Sequence, residues 1–237
     1  MKRIGLIIFG SLACLIGFVL AFGSDILQFS AGQNTAAATG FIQTLTAPAS
    51  GSFTATNFNT GSGVVTTQRN LSSPVTAITL LQNDPNATLE IAGLTKVPIN
   101  AAFTITLGFT LATFASTTNT GLGGIWLTDG SANNLVFSYN TANPGIIATV
   151  YSTFAGAFVS NAFFGTGPPA GPLIWLRIQE TASNRLYSYS SDGQTWVQIF
   201  SEANTAHFTT ADYGFAAEQR AAGQTMITAY SFSETTP

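Results

Sequence analysis

The stretch that most constrains this chain is Leu173 to Phe200, LIWLRIQETASNRLYSYSSDGQTWVQIF. Ile174, Leu176 and Ile178 share one strand face, and Trp175, Arg177 and Gln179 share the other. That is the two-residue period of a strand with one face in a core. Thr181-Ala182-Ser183-Asn184 is a polar break, and Arg185 to Ser190 resumes the alternation with Tyr187 and Tyr189 on one side. Ser191-Asp192-Gly193 supplies an Asp-Gly turn, where glycine accepts the positive φ of a tight hairpin. Trp196 to Phe200 then returns as a third strand. The segment is a β-meander.

Strand signals recur on both sides of it. Phe53–Phe58, Gly63–Gln68, Val75–Leu81 and Ala87–Ala92 are each bounded by Gly, Pro, Asn or Asp. Phe103 to Phe114 is the strongest single strand, with Phe103, Ile105, Leu107, Phe109 and Leu111 alternating against Thr104, Thr106 and Thr110. Gly108 interrupts it as a bulge or a close backbone approach. Gly121–Leu127 and Leu135–Tyr139 flank a second Asp-Gly turn at Asp129-Gly130. Ile146–Phe154 and Ala157–Phe163 precede a Gly/Pro loop at 165–172, and Tyr213–Ala217 and Thr225–Phe232 close the chain. After residue 24 no stretch keeps a helical period, so the pattern predicts an all-β sandwich or barrel.

The surface this implies is neutral. Apolar residues are 46% of the 237, enough for a sizeable core, but charged residues are only 7%, against roughly 25% in average soluble domains. Thr, Ser, Asn, Ala and Gly fill the gap, a composition that suits extracellular β proteins, virion and appendage proteins among them. The formal net charge is −3, and two of the basic residues, Lys2 and Arg3, sit at the N-terminus. With no basic patch to neutralise phosphates, nucleic acid is not an expected partner. Cys14 is the single cysteine, which excludes an intramolecular disulfide and a Cys-based zinc site.

Met1-Lys2-Arg3 followed by the uncharged apolar run Ile4–Phe22 has the layout of a secretory signal, with Ala21 and Gly23 as small residues for cleavage. The run is also close to the ~20 residues that span a bilayer, so membrane contact through residues 4–22, and a hydrophobic helix buried in an assembly, are the rival readings. Residues 24–47 read as a flexible arm, with Phe41–Leu45 a candidate first strand.

Beginning at Trp175, Trp-Leu-Arg-Ile, Asn184-Arg185, Tyr187-Ser188-Tyr189-Ser190, Asp192-Gly193 and Thr195-Trp196 together resemble the signature of concanavalin A-like (laminin-G/legume-lectin type) modules. Tyr213-Gly214-Phe215 with Tyr230-Ser231-Phe232, and Gly123 to Asp129, are similar to other strands of the same modules, so the resemblance spans about Pro48 to Glu234 and the domain it implies is residues 48–237. It resembles in particular versions found in uncharacterised bacteriophage virion and tail-associated proteins. It implies a concanavalin A-like jelly-roll β-sandwich, here behind an N-terminal hydrophobic helix. The fold hosts glycan binders, glycanases and structural modules alike, so it does not name a ligand.

The residues give little sign of catalysis. Retaining glycanases need two carboxyl groups ~5 Å apart, but the closest acidic pairs here are Asp84 with Glu90 and Asp212 with Glu218, and no Glu-x-Asp-x-Glu pattern exists. His207, the only histidine, lies in a polar segment with no nucleophile motif and reads as a surface residue. Asp129, with Asn133 and Asn134 nearby, is a weak calcium candidate; one carboxylate is too few for an ion that takes six to eight oxygens, so a turn role is expected and no cofactor.

The aromatics are the remaining candidates. Trp126, Trp175, Tyr139, Tyr187 and Tyr189 offer flat faces for stacking on sugar rings, with Arg177 beside Trp175; Trp196 is expected in the core. Within the molecule, Glu180 or Glu218 is the expected partner of Arg177. The expected role is non-catalytic: surface attachment or virion decoration outside the cell, with weak glycan binding. A secreted or membrane-tethered bacterial adhesin is the alternative and a glycan hydrolase the lesser one. The partners would be cell-surface glycan, other virion or envelope proteins, or further copies of the chain in a homo-oligomer.

Overall fold

The computed structural model describes residues 45–58, 67–71, 77–84, 90–114, 121–141, 144–151, 158–166, 173–219 and 222–237. The expected N-terminal helix, the signal or anchor readings of residues 1–23, the arm up to residue 44 and most of the strand expected at Gly63–Gln68 lie outside these residues. The unit from Leu45 to Pro237 is a compact body of its own.

After a short 3₁₀ turn at Ser50–Ser52, the strands are β1 (Thr54–Phe58), β2 (Thr67–Leu71), β3 (Ala77–Asp84), β4 (Glu90–Lys96), β5 (Phe103–Phe114), β6 (Gly121–Thr128) and β7 (Asn134–Asn140). They continue as β8 (Gly145–Tyr151), β9 (Phe158–Thr166), β10 (Ile174–Glu180), β11 (Asn184–Ser190), β12 (Val197–Ala203), β13 (Asp212–Gln219) and β14 (Gly223–Thr235). One seven-stranded sheet runs β1-β4-β13-β6-β7-β8-β9, and the other runs β12-β11-β10-β5-β14-β3-β2. Every pairing is antiparallel.

Register explains why these two sheets close on one another. Leu176 lies opposite Leu107 and Tyr189, and Ile178 opposite Ile105 and Tyr187, so the apolar positions of β5, β10 and β11 stand on one face. In the other sheet Phe215 lies between Leu94 and Ile125, and Ile125 lies opposite Phe137. These two apolar faces meet in a single core, where Phe137 of one sheet packs edge-on against Tyr187 of the other with ring centroids 5.1 Å apart. Burying a side chain of this size contributes about 1.5–3 kcal/mol, which is why strict alternation is the dominant folding signal here.

The meander is present, with one adjustment. Six residues, Ser191 to Trp196, separate β11 from β12, and β12 begins at Val197, so Trp196 precedes the strand. Both Asp-Gly turns take the expected conformation, with φ of 77° at Gly130 and 75° at Gly193. Elsewhere the glycines give room. The strand expected at Ala87–Ala92 runs on through Gly93 to Lys96, because the absent Cβ at Gly93 makes space for Trp126, whose ring would otherwise stand 2.5 Å away.

Candidate functional site

The six sequence candidates do not converge. Tyr187 is fully buried on the core face of β11, Tyr189 is half-buried beside it, and Tyr139 packs on the same core from β7. Tyr187 and Tyr189 therefore do not line an open surface: the face opposite Leu186 is the face that meets the other sheet. Tyr187 donates to Glu202 Oε1 at 2.5 Å. Burial first, then the charge of Glu202, pushes its phenol well above the ordinary range, against the opposing pull of Arg185.

Trp126 lies on the other face of the first sheet, away from this core, in a second buried cluster with Ile91, Val136, Tyr151 and Ala216. Its indole N–H donates to Asn134 Oδ1 at 2.9 Å, and nearby Tyr151 donates to Glu218 Oε1 at 2.5 Å. Only 1% of Trp126 is exposed, so its ring is not available for stacking on a sugar. Trp175 is likewise buried, on the outer face of the second sheet. It lies over Gly108, its cross-strand partner; the glycine is a close approach by a side chain, and the bulge falls instead in β14, between Ala229 and Ser231.

Arg177 is the candidate that lies on an outer face without being fully buried. It is half-buried on the same outer face, and its guanidinium carbon sits 3.7 Å from the ring centroid of Trp196. Its Nε donates to Thr106 Oγ1 at 3.3 Å, Thr106 being its partner on β5. The expected pairing with Glu180 or Glu218 does not occur. Glu180 is an odd number of positions along the same strand, so it points through the sheet to the core side, and Glu218 belongs to the other sheet. Nor is Trp196 core: it is half-buried and forms the outer layer of a cation–π pair. The signal in the sequence was its place at the end of the Asp-Gly loop, entering edge strand β12. Around the pair the outer face is neutral and polar, with Thr104, Gln179 and Ser188 half-buried and Gln198 exposed.

Glu180 is held by Arg185, which the sequence did not single out. Arg185 is completely buried, with Nε 2.9 Å from Glu180 Oε2 and Nη1 3.4 Å from Glu202 Oε1. Its Nη2 donates to the Asn204 carbonyl at 2.9 Å and to Thr210 Oγ1 at 3.1 Å. His207 joins the same group, with Nε2 3.0 Å from Glu202 Oε2, so the histidine is tied to a buried carboxylate rather than standing alone. The arrangement pins the Asn204–Thr210 connection to the end of β10–β12.

The loop carboxylates are occupied by donors. Asp129 Oδ1 accepts from the backbone N–H groups of Ser131, Ala132 and Asn133 and from the Ser131 hydroxyl, while Oδ2 accepts from Asn133 Nδ2 at 2.6 Å. Desolvation raises its pKa, but these hydrogen bonds outweigh it and hold the group below its ordinary value. Donors converge where a calcium ligand set would need oxygens. Among the described residues no group of three or more His, Cys, Asp or Glu side chains is placed to hold a metal ion, and no helix is long and apolar enough to cross a membrane.

No family model matches the chain, and no curated protein matches it. Its fold is similar to that of a functionally unknown protein from Saccharomyces cerevisiae, with a TM-score of 0.50 and 16% identity over 77% of this chain and 96% of that one. A xyloglucan-locus GH43 protein of Bacteroides ovatus gives a TM-score of 0.47 at 10% identity over 80% of this chain, which spans only 35% of that longer one. The carbohydrate-binding module CBM66 from Bacillus subtilis gives 0.45 at 8% identity, over 73% of this chain and 96% of the module. The chain's own architecture is the all-β, two-sheet antiparallel sandwich described above.

Proposed function

We propose that the sandwich is a non-catalytic attachment module that contacts glycan through the outer face of its second sheet, and that it works outside the cell, on a virion or a cell envelope. One observation carries the reading: on the outer face of the second sheet a half-buried Trp196 lies against a half-buried Arg177, set among neutral Thr, Ser and Gln side chains. An indole edge beside hydroxyl and amide groups suits a ligand with both C–H faces and hydroxyls, which is what a sugar presents. The 7% charge content favours the same neutral, hydroxyl-rich partner.

The non-catalytic part of the reading rests on how the acids are used. Glu180 and Glu202 are bound to Arg185, Glu218 accepts from Tyr151, and Glu234 accepts from Lys96 and Tyr213. Acids so engaged are poor general acids or nucleophiles, which need an open pair of carboxyls flanking the glycosidic bond. The test is a glycan-array screen of the full chain beside Trp196→Ala. Binding by the native chain that the variant loses supports the proposal; binding that the variant keeps places the contact elsewhere, and release of reducing sugar would overturn the non-catalytic part.

A further inference from the structure

We infer that the glycan taken at this face is acidic, its carboxylate received by Arg177; this rests on the glycan-contact reading above. Among the described residues, Lys96 lies 2.5 Å from Glu234 and Arg185 holds two glutamates. Arg177 faces no carboxylate there: its contacts are the Trp196 ring and, through Nε, a hydroxyl. A half-buried guanidinium is partly desolvated, so a carboxylate gains more there than at a fully exposed arginine. Burial pulls its pKa below the ordinary value, although a guanidinium keeps its proton at neutral pH.

The geometry suits a carboxylate. With Nε on Thr106 and the planar group lying against Trp196, the Nη edge carries the N–H donors that form the two-pronged contact a carboxylate accepts. The indole also fixes the fork in place, so less side-chain freedom is lost when the anion arrives. The neighbouring Thr104, Gln179, Ser188 and Gln198 supply neutral donors and acceptors for hydroxyls and bring no competing negative charge. The ligand class is thus a uronic-acid-containing oligosaccharide, with its carboxylate on Arg177 and its ring against the exposed part of Trp196.

The experiment uses the full chain with tetragalacturonate and its fully methyl-esterified form, by titration calorimetry at low and high ionic strength. The two share one sugar backbone and differ in the charge and methylation of their carboxyls, and the salt dependence isolates the part due to charge. The acid should bind about tenfold tighter or better, and added salt should narrow the difference. Arg177→Gln should erase the preference and Arg177→Lys should restore only part of it, since lysine is a point charge without the fork. Thermal melts matching the native chain would show that both variants fold. Equal binding of acid and ester by the native chain, or a preference that survives in Arg177→Gln, overturns the inference while leaving the glycan reading in place. If neither form binds but neutral glycans on the array do, the inference fails alone; if nothing binds, both fail.

Discussion

A methyl group added at Gly108 would stand 2.6 Å from Cζ3 of Trp175, its direct partner across the β5–β10 ladder. Nothing in the backbone conformation demands glycine there; the indole does. Gly108→Ala should therefore lift Trp175 off the sheet and cost about 1–3 kcal/mol, the usual penalty for overpacking. Urea denaturation should show the lower midpoint, and tryptophan emission should shift to the red. Combining Gly108→Ala with Trp175→Leu should recover part of the loss, because the clash is with the ring. An unchanged midpoint in Gly108→Ala would mean that the close approach does not exist.

Arg185 is completely buried, and its removal strands two carboxylates that it holds. Arg185→Met should destabilise the domain by about 3–5 kcal/mol, as for a buried ion pair that loses one partner. Glu180 and Glu202 would be left with little exposure and without their cation. Adding Glu180→Gln and Glu202→Gln to the same chain should regain stability, since the uncompensated charges are then gone. If Arg185→Met melts with the native chain, the network is not holding the Asn204–Thr210 connection.

Asp192 gives the acid limb a specific contributor. Its Oδ1 accepts from the backbone N–H groups of Gln194 and Thr195, each at 2.8 Å, and from Ser190 Oγ. These contacts hold its pKa at about 2, below the ordinary 3.8. A carboxyl whose folded pKa is depressed adds stability that is fully present above its ordinary value and is lost as pH falls through the folded one. The contribution should fade between about pH 4 and pH 2. Stability measured against pH should lose part of its slope in that window in Asp192→Asn, while an identical slope in the variant would rule Asp192 out.

Tyr187 and Tyr213 should make the fold lose stability at alkaline pH. Burial is the main cause of the raised pKa in both, and Glu234 adds to it at Tyr213. For an acid with a raised folded pKa the neutral form is favoured by folding, so the contribution is whole below the ordinary value of 10.0 and is lost as pH climbs above it. Tyrosinate absorbance should show these two of the six tyrosines ionising late, together with loss of the folded circular dichroism. In Tyr213→Phe one late group should disappear. Early, reversible titration of all six would contradict their placement.

Much of this fold was legible because strand alternation is a local property. Phe103–Phe114 coincides with β5, and the Asp-Gly pairs at 129–130 and 192–193 take the positive φ that only a glycine adopts easily. The site was far less legible. Tyr187 and Trp175 stand on opposite faces of one sheet, and both are buried; a two-residue period says which side chains share a face and is silent on which faces are covered.

The sequence by itself determined the strands, their turns, the neutral surface and the all-β class, since each follows from residues a few positions apart. Only the tertiary structure decided the partners. Arg177 was separated from Glu180 by strand parity and joined to Trp196 by the sheet edge, while Arg185 gathered Glu180, Glu202 and Thr210 from three different segments. Such meetings depend on register and loop path, which are fixed when two sheets close over a common core and bring distant residues within contact range.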